Sequence, residues 1–204
     1  MGLLFVFDMD HVLYDYDWRR RMAGLTRITG HDLAELRRRW WTREGELGAE
    51  AGRFADGDEY LAAFNAALGA DLSRADWIAN RAGAMTPWPE SIAHAEYASS
   101  HGTVSLLTNN GPLMHEHLPE VAPALVPVFG DHLRATSHYG ARKPDPIVFE
   151  RVLAEYDVPA HDVFFADDLA DNVEAAVSVG ITGHRYRDAA GLGRAIEQFI
   201  ATRS

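Results

Sequence analysis

Close to its start the chain reads LLFVFDMD, residues 3–10: five apolar side chains in succession, then carboxylates at Asp8 and Asp10. A half-exposed strand alternates apolar and polar residues. An unbroken apolar run of this length marks a strand covered on both faces. Such strands belong to parallel sheets with helices above and below, so these few residues already narrow the fold. They also raise a problem of charge. Two carboxylates at one strand end repel each other unless something positive lies beside them.

Comparable runs recur at Val104–Leu107, Leu125–Phe129 and Val163–Phe165, with a weaker one from Ile181. Pro127 removes a ladder N–H, which marks Leu125–Phe129 as a short or edge strand. Helical patterns lie between the runs. Asp145 and Pro146 read as an N-cap and first-turn pair, followed by one apolar stripe of Val148, Phe149, Val152, Leu153 and Tyr156. Leu169, Val173, Ala176 and Val177 form a second stripe, stopped by Gly180. The alternation predicts an α/β fold: a Rossmann-like parallel sheet core with helices on both faces. Residues 14–87 break the pattern. They have helical spacing, many Arg, Ala and Glu residues and no strand signal, and they end at the Pro-rich TPWPE. They read as an inserted α-helical cap, which leaves 1–13 and 88–204 as the core domain.

Composition limits the partners. The formal net charge of −11 argues against a nucleic-acid backbone or an anionic membrane surface. It leaves room for a small anionic substrate, because a bound metal ion outweighs global charge locally. With no cysteine, disulfides, thiol nucleophiles and thiolate metal sites are excluded. No apolar run is long enough to span a bilayer, and the first residues carry no signal-peptide pattern. The expectation is a soluble cytoplasmic protein, monomer or homodimer.

Polar residues gather where the strands end: Asp8 and Asp10, then Thr108, Asn109 and Asn110, then Lys143 ahead of the Asp145-capped helix, then Asp167 and Asp168. In open α/β sheets the ligand crevice lies at the carboxyl ends of the strands, so topology brings these groups together. Several carboxylates with oxygen-only donors suit Mg²⁺. Thr108 lies at a helix start, where free N–H groups bind anions. Lys143 adds a cation, and Pro144 restricts its backbone. A carboxylate nucleophile, a metal ion and phosphate-holding donors are the parts of phosphoryl transfer.

On these residues the chain resembles the haloacid dehalogenase-like hydrolase superfamily, in its phosphatase-type form with a small helical cap. DMD at Asp8–Asp10, TN at Thr108–Asn109, Lys143 within RKPDP and DD at Asp167–Asp168 stand in the family's order. The resemblance implies that Asp8 is the nucleophile and Asp10 the general acid, then the base. Thr108, Asn109 and Lys143 hold the phosphate. Mg²⁺ binds Asp8, the backbone carbonyl of Asp10 and Asp167, with Asp168 either a further ligand or a partner of the ligands, and Asn172 orders the acidic pair from one helical turn on. Family members that attack carbon lack an acid at the position of Asp10 and need no metal. The implied activity is therefore Mg²⁺-dependent hydrolysis of a small phosphorylated metabolite through an aspartyl-phosphate.

One position departs from the family pattern: His11 stands where Gly is usual, in a turn that Gly eases. Two other readings use the same residues. A phosphomutase would pass the phosphoryl group to a sugar. A degenerate binding or regulatory protein would keep the site without turnover, with His11 as its motive. Other features have plainer readings. His115 and His117 are two apart, off a common helical face, and read as solvated. Arg19–Arg21 and Arg37–Arg39 read as solvated faces, with one of the first group close enough to the hinge to reach the site. Of Trp40 and Trp41, one is expected in the cap interior and one over its interface.

Overall fold

A computed structural model describes residues 2–203 of the chain. Among them are six strands: β1 (Leu3–Phe7), β2 (Tyr14–Tyr16), β3 (Met85–Pro87), β4 (Gly102–Leu106), β5 (Val163–Asp167) and β6 (Thr182–Arg185). Four form a parallel sheet in the order β4–β1–β5–β6. β1 is central, and its continuous apolar run serves both faces. Phe5 and Phe7 pack with the helices Pro89–Ser99 and Ala189–Ala201, through Ala95, Ala98, Ile196 and Phe199. Leu4 and Val6 pack with Pro146–Tyr156 and Ala170–Ser178, through Val148, Phe149, Val152 and Ala176. Full burial of side chains this size stabilises by about 1.5–3 kcal/mol each. The fold is the α/β arrangement that the runs imply. No helix among the described residues is long and apolar enough to cross a membrane.

Two element readings in the sheet half are corrected. The run Leu125–Phe129 is helical: a 3₁₀ turn at Pro123–Leu125 leads into the short helix Val126–Phe129. Its burial has helical spacing, since Leu125 and Phe129 are buried and Val126 is 40% exposed. Pro127 sits in the first turn, where its missing N–H has no partner to lose. The place beside β4 is taken instead by residues 132–136, through Leu106 N to His132 O, Thr108 N to Arg134 O and Thr136 N to Thr108 O. The stripe expected from Leu169 is also different. In the helix Ala170–Ser178 the buried line is Asn172 and Ala176, while Leu169 and Val177 are exposed. A polar residue holds a core position there because it faces the site.

Between β2 and β3 lie five helices, Trp18–Thr29, Leu33–Arg39, Glu46–Glu50, Gly57–Leu68 and Arg74–Ala82. The two ends of this segment are not strand-free. β2 and β3 pair antiparallel, Tyr14 with Pro87 and Tyr16 with Met85, so both chain crossings run side by side. Three-residue strands are too short for periodicity to betray them. The interior of the segment is aromatic. Trp40 meets Tyr60 and Phe64 edge-on at 5.3 and 5.1 Å between centroids. Trp41 is half-buried beside Arg21. Glu46 is buried here, accepting from Trp40 Nε1 and Tyr60 Oη at 2.7 Å each. Arg21 is not solvated. It is buried 3.8 Å from Glu46, its guanidinium lying over Trp41 and Trp77. His115 and His117 are half-buried, not solvated: the first accepts from Ala135 N and the second pairs with Glu120.

Candidate active site

The carboxyl end of β1 delivers Asp8, and its in-register neighbour β5 delivers Asp167. The pairing Phe7–Ala166 makes the next residue on each strand adjacent, so the sheet itself forces two carboxylates together. After Asp8 the chain turns sharply. Leu13 N and Tyr14 N both donate to Met9 O at 3.0 Å, and His11 N donates to Tyr14 O at 2.7 Å. His11 has φ +61° in that turn, left-handed backbone that Gly adopts freely and a side chain resists.

Lys143 answers part of the charge problem. It is 1% exposed, with Nζ 2.7 Å from Asp167 and 3.0 Å from Asp8. Burial works against its ammonium, but the carboxylates of Asp167 and Asp8 outweigh that and hold it above its usual range. Asn109 fixes the backbone of Lys143 reciprocally: its Nδ2 donates to Lys143 O and its Oδ1 accepts from Lys143 N, both at 2.9 Å. Its second Nδ2 proton is left over, and Asn109 lines the cleft. Thr108 is buried at the end of β4, its Oγ1 accepting from Asn110 Nδ2 at 2.9 Å, which leaves the hydroxyl proton to donate. Asn172 Nδ2 lies 3.0 Å from both oxygens of Asp167, and Leu169 N donates to Asp167 Oδ1 at 2.9 Å.

Asp8, Asp167 and Asp168 each offer an oxygen within 4.8 Å of the others. Burial, and then the carboxylates of Asp167 and Asp10, push Asp8 well up against the pull of Lys143. Asp168 is raised as well, by burial and by Asp167. Carboxylates pressed together and pushed toward the neutral form are a poor resting arrangement without a cation. The donor set is all oxygen, which fits a hard divalent ion. The carboxylate of Asp10 is not in this cluster. It faces the same cleft, of about 270 Å³, whose wall also includes Asp8, His11, Thr108, Lys143 and Asp168.

The comparisons agree with this geometry. The family model for haloacid dehalogenase-like hydrolases matches residues 3–180. The chain belongs to the haloacid dehalogenase-like hydrolases. It is 30% identical over 188 residues to phosphatase MT3486 of Mycobacterium tuberculosis (strain CDC 1551 / Oshkosh), covering 88% of this chain and 84% of that protein. Among solved structures, the fold is shared with a HAD family enzyme of Bacteroides thetaiotaomicron in complex with magnesium and inorganic phosphate: TM-score 0.76, 18% identity, 92% of this chain and 95% of that one. It is shared too with a 2-haloacid dehalogenase of Pseudomonas syringae pv. Tomato DC3000: TM-score 0.67, 16% identity, 100% of each chain. At these identities the likeness shows the fold alone, and the side chains must decide the chemistry.

Two side chains of this hydrolase reach the site from the segment between β2 and β3, or tie that segment to it, and neither was singled out in the sequence. Arg81, 1% exposed on the last turn of Arg74–Ala82, donates from Nη2 to both oxygens of Asp10 at 2.9 and 2.7 Å. The arginine that touches Asp10 is this one, not a member of Arg19–Arg21. The available signal was spacing: Trp77 and Arg81 are four apart, so Arg81 lies on the face that Trp77 buries. Arg142, on the cleft wall, donates from Nε to Glu50 Oε2 at 2.6 Å. Burial raises the carboxyl of Glu50 to about 7 despite Arg142.

Proposed function

We propose that this hydrolase is a Mg²⁺-dependent phosphatase for a small phosphorylated metabolite, working through an aspartyl-phosphate on Asp8. The observation that carries this reading is the place of Asp10. Its carboxylate lines the cleft with Asp8 yet stands outside the Asp8–Asp167–Asp168 cluster, held by Arg81 and not by the other carboxylates' neighbours. Phosphate-ester cleavage needs such an acid for the leaving oxygen. The likeness to a mycobacterial phosphatase over most of both chains supports the same reading.

An Asp8 oxygen attacks phosphorus as the bond from phosphorus to the ester oxygen breaks. Asp10 gives its proton to that departing oxygen. In the second half Asp10 takes a proton from water as the water oxygen attacks the phosphorus of the aspartyl-phosphate. The phosphorus–Asp8 bond breaks, and phosphate and free Asp8 result. Lys143 and the Thr108 hydroxyl hold the phosphoryl oxygens, and Asn109 keeps Lys143 in place. Mg²⁺, held by Asp8, the Asp10 carbonyl, Asp167 and Asp168, would supply the positive charge that lets the carboxylates coexist and draws charge from the phosphoryl group. Asn172 keeps Asp167 aimed. The segment between β2 and β3 acts as a cap that excludes water and sets substrate choice.

The test is phosphate release from p-nitrophenyl phosphate with Mg²⁺ and with EDTA, for the parent and for Asp8→Asn. The expected result is metal-dependent release that Asp8→Asn abolishes while the variant's circular dichroism stays native. Undiminished release from Asp8→Asn would remove the aspartyl-phosphate from the mechanism.

A further inference from the structure

Asp10 has two jobs in the proposed cycle, and both require its carboxyl to point at the reacting oxygens. Its own turn fixes its backbone through Met9 O and Tyr14 O, but not its carboxylate. The neighbouring His11 is in left-handed backbone, and Asp10 is tied to Tyr14 by a single bridge. The group that does grip its carboxylate comes from 71 residues away, in the helical segment. Arg81 offers both protons of Nη2, one to each Asp10 oxygen, at 2.9 and 2.7 Å. The guanidinium is itself firmly mounted. It lies 3.9 Å over the Tyr16 ring, and its Nη1 meets the sulfur of Met85. Tyr16 and Met85 are paired across the β2–β3 ribbon, so the mount is the ribbon that carries the chain into and out of the segment. The side chain is 1% exposed against 22% for that of Asp10, so the grip comes from behind while Asp10 fronts the cleft. The buried Nε of Arg81 has no partner. The guanidinium therefore sits where Asp10 and Tyr16 are served, at the cost of one of its own donors.

We propose that Arg81 is a positioning residue for the acid–base step: it couples the placement of the helical segment to the aim of the Asp10 carboxyl. The inference rests on the phosphatase reading and deepens it. Arg81 is not among the cleft-lining residues, so it works through Asp10 and not on the substrate. Substrate binding is thereby left to Lys143, Thr108 and the metal site, and the loss of Arg81 shows in turnover. A lysine at the same place can still donate to one carboxylate oxygen, though without the planar fork.

The experiment is a double-mutant cycle read in kcat and KM with p-nitrophenyl phosphate, whose good leaving group keeps acid-deficient variants measurable. The variants are Arg81→Met, Arg81→Lys, Asp10→Asn and Arg81→Met with Asp10→Asn, each first checked for a native thermal transition. Arg81→Met is expected to lower kcat by about 10- to 100-fold, as misplacement of a reacting group does, with KM within about twofold of the parent. Arg81→Lys is expected to recover part of that loss. In the Asp10→Asn background Arg81→Met is expected to cost nothing further. Equal loss from Arg81→Met with and without the carboxyl of Asp10, or a change confined to KM, overturns the inference alone. A parent that releases no phosphate under any of these conditions overturns the phosphatase reading, and this inference with it.

Discussion

Lys143 stands between Asp8 and Asp167 with almost no exposure, so its positive charge is part of the buried structure. Removing one partner from a buried charge pair is far worse than never having built it, because the remaining charges lose both water and counter-ion. Lys143→Met is expected to destabilise the metal-free protein by about 3–5 kcal/mol, measured by urea unfolding in EDTA. Part of that loss should return in saturating Mg²⁺, which in the proposed site would face the same two carboxylates. Equal losses with and without Mg²⁺ would separate the lysine from the metal cluster. His11 illustrates the opposite kind of residue. It tolerates a strained turn of a sort that costs an ordinary side chain about 1–2 kcal/mol, and it lies beside Asp168, whose rise it opposes. The Asp8–Met9–Asp10 turn is kept in shape by Leu13 N and Tyr14 N on Met9 O, not by the residue at position 11 alone.

At the scale of elements, the short helix Glu46–Glu50 is tied to the sheet half at two points. Its last carbonyl accepts from the buried Thr136 Oγ1 at 2.9 Å, and the Glu50 carboxylate accepts from Arg142. The carboxyl of Glu50 titrates near 7 against an ordinary 4.5, chiefly through burial, with Arg142 opposing and Glu46 adding to the rise. A carboxyl raised on folding binds its proton more tightly in the native state than in the unfolded one. Its contribution is fully present below about 4.5 and is lost as pH climbs toward about 7. Glu50→Gln removes that dependence. The stability of the parent relative to Glu50→Gln should therefore fall over this window, by up to about 3 kcal/mol, in urea titrations at a series of pH values. A flat difference would mean that the Arg142 pair holds Glu50 ionised throughout.

At the scale of the molecule, the helical segment and the sheet share one apolar cluster. Phe5, Phe7 and Leu106 of the sheet connect through Met9, Leu13 and Tyr14 to Trp40, Phe64 and Trp77. Two halves joined by a continuous core have little reason to unfold apart. Tryptophan fluorescence reports mainly on the segment, which holds Trp18, Trp40, Trp41 and Trp77, while far-ultraviolet circular dichroism reports on all helices. The two signals are expected to give coincident urea transitions. A separate, earlier fluorescence transition would show that the segment melts by itself.

The sequence by itself determined the parallel α/β core, the strand-end positions of Asp8, Asp10, Thr108 and Asp167, and the place of Lys143 just ahead of a helix. Those features follow from local patterning: a strand buried on both faces must read as an unbroken apolar run, and its end is where charge reappears. Only the tertiary structure decided the rest. Leu125–Phe129 has a strand's composition and a helix's burial, because what packs against it lies far away in the chain. The ribbon of Tyr14–Tyr16 with Met85–Pro87 exists only as a pair, and neither strand is long enough to declare itself. Arg81 and Arg142 look like surface cations in sequence, yet one grips Asp10 and the other Glu50. Charge partners are chosen by distance in space. A chain that leaves the sheet at Tyr16 and returns at Met85 brings them together in a way that no local pattern records.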